Sequence, residues 1–217
     1  MDTITDTIDL KKDNLVKARF EFRSFGQDFR NAAKRMARLS TPVPESLWER
    51  SSDEIYILSR VNNTCNAKIR DEKIDIKTCI QATDGLEQWL PVLKSGFPVS
   101  ASDLVRKIFP AWEVVIPEIN KENYTYQEFI DMVDRHPQLE KVHVHKTRFG
   151  YMVNHTICET GIVLINGASV FTISSESTDV EDVKRTLVDI GIEGTENINY
   201  IQAIKRVIGM IDQPLAN

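Results

Sequence analysis

Arg19, Glu21 and Arg23 occupy alternate positions of the segment Lys17-Ala18-Arg19-Phe20-Glu21-Phe22-Arg23. Successive side chains of a strand point to opposite faces. Lys17, Arg19, Glu21 and Arg23 therefore share one face, and Ala18, Phe20 and Phe22 the other. A half-buried strand with its charged face in water would read the same way, but the pattern recurs. Lys68-Ile69-Arg70 and Asp75-Ile76-Lys77 repeat it, and Lys146-Thr147-Arg148 adds another basic pair. Several strands charged on one face predict a barrel whose interior is wet and charged, a site for a polyanion. Lysines and arginines drawn from several strands can contact closely spaced anionic oxygens together through charge-assisted hydrogen bonds. A closed antiparallel barrel presents such a ring without free sheet edges.

Other chemistries find little support. No Gly-x-Ser-x-Gly elbow surrounds Ser24, Ser51, Ser52 or Ser59, and there is no glycine-rich phosphate loop. His143 and His145 alternate on one strand, but lack cysteine or carboxylate partners at metal-ligand spacing and read as surface or hydrogen-bonded strand histidines. Cys65, Cys79 and Cys158 are widely separated and odd in number, which reads as reduced thiols. Trp48, Trp89 and Trp112 are spread apart and read as packing residues. The 217 residues carry a formal net charge of −5, which argues against nucleic acid as a partner held by overall charge. No stretch approaches the roughly 18 apolar residues of a membrane span, and Met1–Asn14 lacks the apolar core of a signal peptide. These features point to a cytoplasmic chain with no membrane partner.

The elements that would position the charges follow from periodicity. Residues 1–14 read as a loose leader and 15–217 as a single domain. A first strand from about Leu15 to Ser24 precedes an amphipathic helix over Gln27–Leu39, ended by Ser40-Thr41-Pro42-Val43-Pro44. Strands are expected at Glu54–Ser59, Cys65–Asp71 and Lys73–Gln81, the last two as a hairpin. Asp84–Lys94 reads as a short helix interrupted by Pro91, and Ser102–Phe109 as another. Thr125-x-x-Glu128 has capping-box spacing before a helix to about His136. Strands follow at Lys141–Phe149, Gly150–Ile165 with a break near Gly161, and Ala168–Ser175. Thr178 is the expected cap of a helix stopped by Gly191, and Asn199 the cap of a last helix, Tyr200–Met210. The class is α+β, with antiparallel strands outnumbering helices.

Several motifs, in order, resemble the CYTH superfamily of triphosphate tunnel metalloenzymes, which includes thiamine-triphosphatase-like proteins and class IV adenylate cyclases. Phe171-Thr-Ile-Ser-Ser-Glu-Ser-Thr-Asp179, the helix to Gly191 and Asn199-Tyr200 resemble its C-terminal signature. Arg19-Phe20-Glu21-Phe22-Arg23 stands at the place of its Glu-x-Glu-x-Lys. Ala67-Lys68-Ile69-Arg70 and Ile74-Asp75-Ile76-Lys77 resemble its two following basic strands. The resemblance spans about residues 15–210 and implies an antiparallel, triphosphate-tunnel-like β-barrel with flanking helices. It further implies that Arg19, Arg23, Lys68, Arg70, Lys77, Lys146 and Arg148 hold a triphosphate or other organic polyphosphate. Glu21, Glu159 and Glu176 would hold Mg²⁺ or Mn²⁺, ions that take carboxylate oxygen. The sequence departs from the pattern on the metal side. Arg19 replaces the first glutamate, Arg23 the lysine, and Ser174-Ser175-Glu176 stands where Glu-x-Glu is usual. Two function classes stay open: a metal-dependent phosphohydrolase acting on inorganic, nucleoside or thiamine triphosphate, and a regulatory protein that binds such anions with a weakened catalytic site.

Overall fold

The computed structural model describes residues 18–216; the leader and Lys17 lie outside the described residues. Eight antiparallel strands close into a barrel: β1 (Arg19–Gly26), β2 (Arg50–Ser59), β3 (Cys65–Arg70), β4 (Lys73–Thr83), β5 (Leu86–Gly96), β8 (Leu139–Val153), β9 (Thr156–Ile165) and β10 (Ala168–Ser177). Their order around the barrel is β1-β10-β9-β8-β2-β3-β4-β5, with β5 pairing back onto β1. The short strands β6 (Val99–Ser100) and β7 (Asn123–Tyr124) form a separate pair.

The outer face of the barrel is apolar and covered by helices on two sides. Helix α1 (Arg30–Leu39) and α5 (Val180–Ile190) bring Ala32, Met36, Val183, Leu187 and Ile190 onto Phe22, Cys158 and Ile173. On the other side, α2 (Ala101–Asp103), a π-type turn (Leu104–Ile108) and α3 (Phe109–Trp112) run end to end. With α4 (Tyr126–Arg135) they bury Phe109, Trp112, Phe129 and Val133 against Ile57, Ala67, Ile69, Ile74 and Ile76. Each large side chain taken out of water in these layers is worth about 1.5–3 kcal/mol before entropy is subtracted. This burial fixes the strand register, because a slip of one residue would turn the charged set outward.

The last helix, α6 (Tyr200–Val207), lies differently. Its Tyr200, Ile201, Ala203 and Ile204 pack with Phe25, Tyr56, Leu58, Val142, Val144, Val163, Ile165 and Val170. Those strand residues share parity with Arg23, Glu54, Lys146, Glu159 and Ser174, so they face inward. Helix α6 thus closes one end of the barrel as an apolar plug. Lys205 anchors it by donating to Ser59 O, Asn62 O and Asn63 Oδ1. The expectation of an interior wet throughout is corrected: one half is charged and the other is packed.

Several local expectations change as well. Leu86–Gly96 is a strand, not a helix, with Pro91 set where the β4–β5 register shifts, a place where a missing N–H is tolerated. The break expected at Gly161 falls instead at the Asn154-His155 turn, and β9 runs through the glycine. Asp179, not Thr178, caps α5 by accepting from Glu181 N. The Thr125–Glu128 capping box, the left-handed stop at Gly191 and the Asn199 cap form as the sequence predicts. Trp112 and Trp89 are packed, but Trp48 is largely exposed.

Candidate functional site

Exposure along β1 shows which end of the barrel is open. The side chain of Arg19 is 48% exposed, that of Glu21 22% and that of Arg23 11%, and Phe25 is fully buried. Strand β2 repeats the gradient from a part-exposed Arg50 to the buried Glu54, Tyr56 and Leu58. The charged half is therefore open at Arg19 and Arg50, and its side chains become buried towards Tyr200.

Two carboxylates organise this half. Glu54 receives Lys146 Nζ at 2.8 Å, Arg70 Nη1 at 3.2 Å and Lys68 Nζ at 3.5 Å. Burial works against its charge, but Lys146, Lys68 and Arg70 prevail and hold its carboxyl at about 2. Burial pushes the Lys146 ammonium the other way, well below an ordinary lysine, with Lys68 adding repulsion. Lys146 also donates to Tyr56 Oη at 2.7 Å and lies 3.6 Å from the centre of the Tyr200 ring, a cation–π contact.

The second hub is Glu159, met by Arg50 Nη2 at 2.8 Å, Arg23 Nη1 at 3.5 Å and Arg148 Nη1 at 3.7 Å. Arg148 Nη2 donates to Ser52 Oγ, which donates in turn to Glu54, so the two hubs form one network. Gly161 keeps room for it, since a Cβ there would lie 3.2 Å from Arg148 Cγ and 2.8 Å from Thr147 O. Burial disfavours the charge of Arg23, yet Glu21, Tyr200 and Glu159 raise its pKa above the usual arginine value. Its Nε lies 2.7 Å from Glu21 Oε1.

All seven basic residues singled out from the sequence lie on this inward face or at its mouth. Lys68, Arg70 and Lys146 converge on Glu54, and Arg23 and Arg148 on Glu159. Arg19 pairs with Glu176 at 3.1 Å at the mouth. Lys77, half-buried on the same face of β4, has neither ion pair nor hydrogen bond among the described residues, but it acts on the Glu176 carboxyl. The sequence reading missed Arg50, Glu54, Tyr56, Glu87 and Tyr200. Arg50 and Glu54 belong to the same inward set of β2, and extending its alternation to Arg50 would have found both.

The three predicted metal ligands do not converge, and among the described residues no group of three or more His, Cys, Asp or Glu is placed to hold a metal ion. Glu159 lies among three guanidiniums, Glu21 is held by Arg23 and Glu176 by Arg19. What does line up is Glu87, Glu21 and Glu176, directly opposite one another across β5, β1 and β10. Burial raises the Glu176 and Glu87 carboxyls, and the neighbouring Glu21 raises both further. Asn199 Nδ2, at the cap of α6, donates to Glu87. These oxygens are of the type that Mg²⁺ and Mn²⁺ take, but Arg19 and Arg23 already neutralise two of the three, so the residues as arranged do not fit a bound metal.

His143 and His145 face outward. His145 Nδ1 lies 2.8 Å from Asp53 Oδ1, and both histidines line an outer groove of about 930 Å³ with Phe97 and Tyr126. Cys65, Cys79 and Cys158 are free thiols. No helix is long and apolar enough to cross a membrane among the described residues.

No family model and no curated protein matches the sequence. Solved structures overlap it in fold. A Bacillus halodurans protein assigned as an adenylate cyclase is 11% identical with a TM-score of 0.49, over 86% of this chain and 98% of its own. A Hippeastrum protein assigned as an adenylyl cyclase, with a dominant triphosphatase activity, is 11% identical with a TM-score of 0.47, over 89% and 97%. A conserved Pyrococcus furiosus protein is 13% identical with a TM-score of 0.47, over 84% and 98%. The antiparallel β-barrel with flanking helices expected from the sequence is present, closed and eight-stranded. The overlaps are shallow, and the functional reading rests on the inward residues themselves.

Proposed function

We propose that the charged half of the barrel binds a triphosphate-bearing anion: inorganic triphosphate, a nucleoside triphosphate or another organic polyphosphate. One observation carries this reading. Arginines and lysines from β1, β2, β3, β4 and β8 turn inward on the charged half of one closed barrel, most of them half-buried or buried, in surroundings that strengthen charge-assisted hydrogen bonds. In the absence of ligand, Glu54 and Glu159 offset the repulsion among these cations. Arg19, Arg23, Lys68, Arg70, Lys77 and Arg148 are the phosphate-binding residues in this proposal, with Lys146 supporting them through Glu54 and Tyr56. Because guanidiniums occupy Glu21, Glu159 and Glu176, the reading favoured is binding rather than turnover.

Metal-assisted hydrolysis is the second reading, and it requires Arg19 and Arg23 first to release Glu176 and Glu21 from their ion pairs, since the Glu87–Glu21–Glu176 row does not fit a cation as arranged. Thermal shift with inorganic triphosphate, ATP and thiamine triphosphate in chelator, beside phosphate release with Mg²⁺ or Mn²⁺, tests both. Stabilisation in chelator without release supports the binding protein. Mn²⁺-dependent release that Glu21→Ala abolishes supports the hydrolase. No shift with any of the three compounds, with or without metal, rejects both.

A further inference from the structure

Strand β2 leaves part of one edge without a neighbour. Towards β8 it is paired along its whole length, from Arg50↔Arg148 to Ser59↔Leu139. Towards β3 its register covers Ile55–Ile57 alone, so Arg50–Asp53 stand beside no strand on that side. Alternate residues of a strand turn their N–H and C=O to opposite edges. No loop or terminal segment meets the main chain of Arg50–Asp53 among the described residues. The corresponding edge of β1 is closed. That strand meets β5 over Arg19–Glu21. Beyond it Ile198 N donates to Arg23 O at 2.6 Å, Ala216 N donates to Phe25 O at 2.9 Å, and Arg23 N donates to Asn197 Oδ1. The fold thus covers one split in the barrel with its own chain and, among the described residues, leaves the other open. An open edge is a template for an added strand.

This edge borders the outer groove of about 930 Å³. Asp53–Ile55 form one bank of the groove and Arg70–Lys73, the tip of the β3–β4 hairpin, the other, with Phe97 and Leu164 also lining it. Charge distinguishes the two faces of a strand laid there. Inward side chains meet Arg50 and Arg70, both part-exposed. Arg50 contacts Glu159 through Nη2 and Arg70 contacts Glu54 through Nη1, and further N–H groups of each guanidinium stay available to a carboxylate. Outward side chains meet the exposed carboxylates of Asp53 and Asp71 and the apolar wall of the groove. We infer that the Arg50–Asp53 edge is a docking site for an extended peptide segment of a protein partner, added to the barrel as a strand. Acidic side chains occupy the alternate positions that turn towards Arg50 and Arg70, and basic or apolar ones the positions between. Main-chain hydrogen bonds supply the attachment and charge supplies the register, because a slip of one residue would set the carboxylates on Asp53 and Asp71. The inference stands apart from the polyphosphate reading, since it needs no phosphate in the barrel.

The test uses the unmodified protein and a fluorescein-labelled peptide that alternates glutamate with valine and lysine, followed by anisotropy in low salt. Three controls accompany it: two versions N-methylated at one or the other set of alternate amides, and one with lysine in place of every glutamate. The parent peptide binds saturably. One N-methylated version, whose blocked amides face β2, binds at least about tenfold more weakly, and the other keeps most of the affinity. The lysine version also loses at least about tenfold. Hydrogen exchange places the site: alternate amides of Arg50–Asp53 exchange fast in the free protein and slowly once the peptide is bound. Equal affinity for the two N-methylated versions overturns strand addition, and equal affinity for the lysine version overturns the acidic register. Slow exchange of every Arg50–Asp53 amide in the free protein shows an edge already covered, by this chain or a second copy, and overturns the open site. Failure of the parent peptide to bind overturns the inference as a whole.

Discussion

Glu54→Gln is the substitution whose consequences the structure defines most fully. The glutamine keeps the size of the side chain and removes the charge that Lys146, Lys68 and Arg70 share. The Glu54 carboxyl is lowered from its ordinary 4.5 to about 2, a gap that corresponds to about 3 kcal/mol. Breaking a buried ion pair by removing one partner costs a similar 3–5 kcal/mol. At about 2–4 °C per kcal/mol for a chain of this size, circular dichroism at pH 7 should show melting about 6–12 °C lower.

The dependence on pH gives the sign. A depressed folded pKa contributes stability that is present above about 4.5 and lost as pH falls towards 2, so the variant should lack that part of the acid limb. Its Lys146, already pushed down by burial, also loses its counter-charge. The folded variant then releases a proton that the unfolded chain keeps, so its stability should rise with pH and the deficit should shrink on the alkaline side. Adding Lys146→Met removes both buried charges and should recover much of the loss. Equal melting temperatures and superimposable acid limbs for parent and Glu54→Gln would refute the hub.

Two further substitutions separate binding from architecture. Lys77 makes no ion pair or hydrogen bond among the described residues, so Lys77→Ala should leave the unfolding free energy within about 0.5 kcal/mol of the parent yet weaken triphosphate binding about tenfold; calorimetry that shows unchanged affinity would remove it from the site. Arg19→Glu releases Glu176 and places a carboxylate beside Glu21, so Mn²⁺ affinity should rise about tenfold or more, from charge terms of order 1 kcal/mol each. If triphosphate binding drops instead with no gain in Mn²⁺ affinity, Arg19 is a phosphate donor rather than the feature that blocks a metal.

The inward charges were legible because a strand alternates with a period of two, and Arg19, Glu21 and Arg23 state that period within five residues. The same rule failed to reach Glu54, because Ser51-Ser52-Asp53-Glu54 has no apolar side chains between its polar ones and the strand was read as starting at Glu54. Leu86, Trp89, Leu90 and Leu93 have helical spacing, and only pairing with β1 and β4 makes them a strand. The plug was beyond local reading. An apolar stripe on α6 shows that a face is buried but not that it is buried inside a barrel, and Val142, Val144, Val163 and Ile165 look the same whether they face helices or a closed lumen. Tyr56 and Tyr200 give no local signal of an inward position, because a ring looks alike wherever it packs; the unpaired Tyr200 hydroxyl shows only in three dimensions.

The central claim is that these inward cations form a polyanion site, and titration calorimetry with inorganic triphosphate in chelator, at low and at high salt, tests it most directly. Saturable binding of one triphosphate per chain that weakens as salt rises is the predicted result. The absence of saturable binding at low salt, or an affinity indifferent to salt, would contradict it.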